Sequence, residues 1–296
     1  MTSIILLSLL SGLMFAFAGV AYRVGTLGNV QPNQCGVGLS IIGFLGFGLL
    51  GYNEWQHLDW RLALIITVTG ITQYLVIVLL RYALKIGPLS PAWCAVSLGF
   101  IPVIIYASLG CGESLSVCQY ISIAATVGAI VSASFSSKDD GERKKSSWGS
   151  KIVYCIILLL LVASNSTLSV ALKICSKLTF ANSDMTYKAG CGNVILSLVY
   201  FFIMALGAID LTVRKQWVFN RYAYFGGIML AVGACSAYGL QLYLVDRAPA
   251  VVVFALSNTV SILGAALISV FVFREKRTVS WYLTIGFSVL AIILNR

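Results

Sequence analysis

Unbroken apolar blocks constrain this chain more than any other feature. Residues 4–22 contain no charge, and nine further blocks of the same kind follow. A stretch of about 20 apolar residues is long enough to cross the bilayer core as a helix. There every backbone N–H and C=O must find its partner within the segment, which a helix provides. Barrel strands are excluded, because they would show segments of about ten residues with alternating polarity. Composition agrees: the 296 residues are 59% hydrophobic and 10% charged, with a mean hydropathy of +0.93, whereas a soluble domain carries about 25% charged residues. The expected fold class is therefore all-α integral membrane, with ten transmembrane helices.

The blocks lie at about 4–22, 36–52, 62–80, 91–109, 118–134, 152–172, 191–209, 222–245, 251–273 and 279–294. The first lacks a basic leading region and an A-x-A-like cleavage site, so it is expected to stay as a helix rather than leave as a signal peptide. Between the fifth and sixth blocks stands the most charged stretch, with Lys138, Asp139, Asp140, Glu142, Arg143, Lys144 and Lys145. It divides the chain into a five-helix half (1–134), a linker (135–150) and a second five-helix half (151–296).

The net charge of +10 would suggest nucleic acid in a soluble protein. In a membrane chain, basic loop residues instead set topology and meet anionic lipid. The eight cysteines form no CxxC pair, and His57 is the single histidine. Neither a metal site nor a redox motif is indicated, and no cofactor is expected. No HExxH, GxSxG or Walker A sequence occurs, and no carboxylate pair lies inside a block, so an enzyme is not expected.

The two halves are self-similar. Val20-Ala21-Tyr22-Arg23 ends the first block and Val170-Ala171-Leu172-Lys173 ends the sixth, 150 positions later. Cys35-Gly36 and Leu50-Gly51 recur as Cys191-Gly192 and Leu206-Gly207, at an offset of 156. Tyr82 and Pro88 recur as Tyr243 and Pro249, at 161, and Glu113 recurs as Glu275, at 162. The matches are collinear, and the offset only grows. An odd number of spans per repeat forces the second copy into the bilayer upside down. Inverted repeats of this kind are a transporter signature, with the substrate site near mid-membrane between the halves.

The stretch Arg81-Tyr82-Ala83-Leu84-Lys85-Ile86-Gly87-Pro88-Leu89-Ser90-Pro91-Ala92, then Phe100-Ile101-Pro102-Val103, then Gly112-Glu113, resembles the EamA-like branch of the drug/metabolite transporter superfamily. The second half repeats the pattern more loosely, as Tyr243-Leu244, Pro249-Ala250 and Arg274-Glu275. Its ninth block has Ile262-Leu263 in place of the Pro-Val, and Arg274 replaces the glycine before the second glutamate. The resemblance spans nearly the whole chain. It implies two inverted five-helix repeats around a central cavity lined by helices one, three, four, six, eight and nine.

Polar residues inside the blocks are the candidate ligands, because polar groups in hydrocarbon are expensive. Gln73, Asn165, Gln241 and Asn258 would hydrogen-bond a substrate; Tyr74, Trp93 and Tyr238 would stack on one. Arg23 and Lys173, ending the first helix of each half, would meet an anionic or carboxylate group, or would snorkel to the interface. Glu113 and Glu275 precede helices, where an acid suits the dipole, and read as structural. All ten acids fall in loops or at block edges, which argues against carboxylate-based proton coupling.

These features suit a secondary transporter for a small polar or zwitterionic metabolite such as an amino acid, working as an exchanger or facilitator. A nucleotide-sugar or phosphorylated-metabolite antiporter, using Arg23, Lys173 and Lys188, is the alternative; a channel or lipid scramblase is a further one. The expected partners are a small-molecule substrate, membrane lipid and, as an open alternative, a second copy of the chain, with no nucleic acid. The expected location is a bacterial-type plasma (inner) membrane, with an endomembrane as the alternative. Loops after odd-numbered blocks carry 14 Lys and Arg against 6 on the other face. The charge rule thus places both termini outside, whereas the family resemblance places them inside.

Overall fold

The computed structural model describes residues 2–28, 30–58, 60–86, 95–135, 148–177, 191–272 and 279–294. Ten long helices, a short 3-10 helix (Tyr52–His57) after the second of them, and no strand occur among them: α1 (Thr2–Leu27), α2 (Pro32–Leu50), α3 (Trp60–Ile86), α4 (Phe100–Cys111), α5 (Val117–Phe135), α6 (Trp148–Lys177), α7 (Cys191–Val213), α8 (Arg221–Val245), α9 and α10 (Val279–Leu294). Helix α9 opens with a π-helical turn, Val251–Ala255, and continues as an α-helix over Leu256–Phe271. Seven of these helices (α1, α2, α3, α6, α7, α8 and α9) are long and apolar enough to cross a bilayer; the other three are shorter and equally apolar. The protein is a multi-pass membrane protein. Its outer surface presents Leu13, Leu49, Leu109, Leu159, Ile209 and Phe225, an arrangement that lipid favours and water does not.

Local chemistry sets the helix ends. Pro32 stands in the first turn of α2, where its missing N–H costs nothing. Asn220 caps α8 by accepting from Ala223 N at 2.9 Å, while its amide donates to Gly28 O at 3.0 Å and so ties that end to the end of α1. Helix α4 ends at Gly112, whose φ of 67° lies in the left-handed region. Glycine enters that region without a Cβ clash. The following Glu113 N–H bonds back to Ala107 O at 3.1 Å, which turns the chain sharply before α5.

In a bilayer, helices associate through close packing rather than through a hydrophobic driving force, so small residues mark the contacts. Helix α1 packs on α8 and α9, α2 on α7 and α8, α3 on α6 and α7, α4 on α6, and α5 on α10. A Cβ on Gly12 would lie 2.5 Å from Ser257 O, and one on Gly38 would lie 3.1 Å from Gly227 Cα. Side-chain hydrogen bonds fasten α5, through Ser122 Oγ to Ala291 O of α10 at 2.9 Å and Thr126 to Thr259 of α9 at 2.8 Å.

Candidate functional site

The polar residues anticipated from the sequence gather in two interhelical clusters. The first lies at the crossing of α3 and α6. Gln73 is the central residue of α3 and Ser164 is close to the middle of α6, so this crossing is deep in the membrane. Buried Gln73 Nε2 donates to Ser164 O at 3.1 Å and lies 3.4 Å from both Asn165 O and Thr167 Oγ1. Thr72 and Thr167 join their hydroxyls at 2.7 Å. Half-buried Asn165 donates from Nδ2 to Val96 O at 2.7 Å, which links α6 to the segment leading into α4. The tightness leaves no room beside Asn165: a Cβ on Gly99 would meet its Nδ2 at 2.8 Å.

The second cluster joins α1, α8 and α9. Ser11 Oγ donates to Ala237 O at 3.1 Å and lies 3.1 Å from Ser257 Oγ, which in turn lies 3.4 Å from Gln241 Nε2. Gln241 is 2% exposed, and its Oε1 has no hydrogen-bond partner; neither has the buried Ser8 Oγ, one turn before Ser11 on α1. A buried acceptor without a partner is costly, and it is a place where a ligand's donor would be welcome. Asn258 turns back on its own helix and donates to Phe254 O at 2.8 Å. Tyr238 stands edge-on to Phe15 of α1, with ring centroids 5.0 Å apart.

Other anticipated residues are placed elsewhere. Tyr74 faces away from these clusters, toward Asn33 and Asp210. Lys173, 2% exposed, is held at the end of α6: Nζ lies 2.5 Å from Glu113 Oε1 and donates to Val245 O at 3.2 Å. Trp93 and the side chain of Arg23 lie outside the described residues, as do Pro88, Lys188 and Glu275. Among the described residues no three potential metal ligands lie together.

Two further ionic clusters fasten α2 to α7 at opposite ends. Just past the end of α2, buried Glu54 accepts from Asn193 Nδ2 at 2.9 Å and Val194 N at 3.3 Å, supplying an acceptor to an orphan N–H at the start of α7. At the start of α2, Asn33 Nδ2 donates to Asp210 Oδ2 at 2.9 Å. Asp210 also lies 3.2 Å from Arg81 NH2 of α3 and 2.5 Å from Arg214 Nε. Sequence reasoning ended the seventh block at 209 and left Asp210 outside it; the helix continues to Val213 and includes it. A signal for this pair was present, because Glu54 and Asp210 are 156 positions apart, the offset that relates Cys35 to Cys191.

No protein-family model and no curated protein matches the chain. A solved structure described only as "Crystal structure of protein" is similar to it with a TM-score of 0.73 at 14% identity, covering 99% of this chain and 96% of that one. At that identity the likeness speaks for the fold alone.

Proposed function

We propose that this chain is a secondary transporter of the EamA-like drug/metabolite type, built as two inverted five-helix repeats and moving a small polar or zwitterionic organic metabolite by alternating access. The observation that carries the reading is the exchange pattern of its helix contacts. Adding or subtracting five turns the α1–α8 contact into α6–α3, α2–α8 into α7–α3 and α1–α9 into α6–α4, and returns α2–α7 and α5–α10 to themselves; each of these contacts is present. The depths of the crossings agree. Ser164 and Thr72 meet the partner helix at the α3–α6 crossing, and Met14 and Gly233, their counterparts at offsets of 150 and 161, meet at the α1–α8 crossing. Two near-equivalent halves can exchange conformations around a site between them.

The side chains favour an uncharged or zwitterionic substrate over a phosphorylated one. The deep clusters offer amides, hydroxyls and aromatic rings, while Lys173, the described one of the three cations that a phosphate would use, is already neutralised by Glu113. The reading further holds that substrate exchange or the substrate's own gradient drives transport. A buried carboxylate that titrates near neutral pH would couple protons to substrate, and among the described residues none stands in the two central clusters. Counterflow in proteoliposomes tests both points. A metabolite set screened by thermal shift supplies the candidates, since a ligand of the folded state raises its stability. Saturable trans-acceleration, with no uptake driven by an imposed pH gradient alone, is the expected result. Unsaturable flux would overturn the carrier reading; accumulation abolished by a protonophore would overturn its energetics.

A further inference from the structure

Four chain segments meet at the membrane face that carries the α4–α5, α6–α7 and α8–α9 connections. Glu113 follows the left-handed Gly112 after α4, Lys173 lies near the end of α6, Val245 ends α8 and Ala250 immediately precedes α9 as its N-cap. Glu113 Oε1 holds Lys173 Nζ at 2.5 Å, and Glu113 Oε2 accepts from Ala250 N at 2.8 Å. Lys173 Nζ also donates to Val245 O at 3.2 Å. The glutamate thus caps the positive start of α9 and the lysine the negative end of α8, and each charge neutralises the other.

We propose that the Glu113–Lys173 pair is the closure of this face and that it parts in every transport cycle. The proposal rests on the transporter reading, since a closure matters only to a molecule that opens. Its location fits. The pair clasps the turn between α8 and α9, immediately outside the α1–α8–α9 cluster of Ser11, Gln241 and Ser257. When the pair parts, the α8 end and the α9 start lose their caps together, so the turn is released as a unit. Lys173 leaves a buried position and Glu113 a partly buried one, which water entering the opened face makes tolerable and which a dry interior does not. The pair therefore separates only as the face floods.

The test is thiol accessibility in sealed vesicles, with the full chain and a membrane-impermeant methanethiosulfonate applied from each side. Ser257→Cys places a thiol inside the proposed closure at a position that is 0% exposed. Native Cys35, 1% exposed at the start of α2, reports general loosening within the same molecule. Labelling is read site by site by peptide mass spectrometry. Glu113→Gln and Lys173→Met should each raise the S257C labelling rate by about tenfold or more from one side only, with Cys35 unchanged. The double substitution E113Q/K173M, which leaves no unpaired charge, should also label fast. Equal rises at S257C and Cys35 would show a loosened fold, and no rise at S257C would show that the pair closes nothing; either result overturns the proposal. If S257C responds as expected but no metabolite shows counterflow, the transporter reading fails while the closure stands.

Discussion

Gly233, at the centre of α8, packs directly against the α1 backbone, and replacing it with alanine has a calculable consequence. The new Cβ would lie 2.8 Å from Ala18 N, 2.8 Å from Met14 O and 2.9 Å from Ala18 Cβ. Two of these atoms are backbone and cannot swing aside. Ordinary van der Waals contact begins at 3.4 Å, so the helices must part by several tenths of an ångström along the whole crossing. The Ser11–Ala237 bond one turn away, already 3.1 Å, would stretch toward the limit of a hydrogen bond. Overpacking of this kind costs about 1–3 kcal/mol. Gly19 on α1 is the control, because a Cβ there meets nothing within 4 Å. Alanine at Gly19 should be neutral or should stabilise by up to about 1 kcal/mol through helix propensity. The expected gap between G233A and G19A is about 1–4 kcal/mol, or roughly 5- to 700-fold in the folded-to-unfolded ratio. Titration with SDS from mild detergent micelles, followed by far-UV circular dichroism, measures it. Equal stability of the two variants would refute the close approach of α1 to α8 at this depth.

Glu54→Ala should cost about 1–3 kcal/mol in the same titration, because Asn193 Nδ2 and Val194 N lose their acceptor; Glu54→Gln, which keeps an acceptor oxygen, should cost less. Around Asp210 the two arginines should differ. Arg214→Ala should change stability by less than about 1 kcal/mol, since that side chain is 40% exposed. Asp210→Ala, which strips Asn33 and the largely buried Arg81 of a charged acceptor, should cost about 1.5–3 kcal/mol. Gln73→Leu should alter stability by no more than about 1 kcal/mol, as interhelical hydrogen bonds in membranes are individually modest. It should nevertheless abolish the thermal shift produced by a transported metabolite; a full shift retained by Q73L would remove Gln73 from the binding site.

The sequence by itself determined the solvent, the secondary structure and the number of helices. Hydropathy is a local property, and in hydrocarbon an apolar segment has helix as its only open-ended way to satisfy its backbone. Ten blocks therefore became ten helices; polar side chains extend some ends, as Asp210 does within α7, whereas the block placed at 91–109 yields the shorter α4, which begins only at Phe100, after a turn at residues 98–99. What each polar side chain binds was settled only by the tertiary structure. By its position Glu113 suits the start of the helix that follows it, yet it caps α9, 137 positions away, and neutralises Lys173, which the sequence offers as a substrate ligand. Tyr74 and Gln73 are neighbours in sequence but point to different clusters, since adjacent helical residues diverge by about 100° around the axis. Lipid supplies no hydrophobic force to choose among helix faces. The choice falls to small-residue contacts such as Gly233 against Ala18 and to individual hydrogen bonds, and these depend on which helices stand side by side.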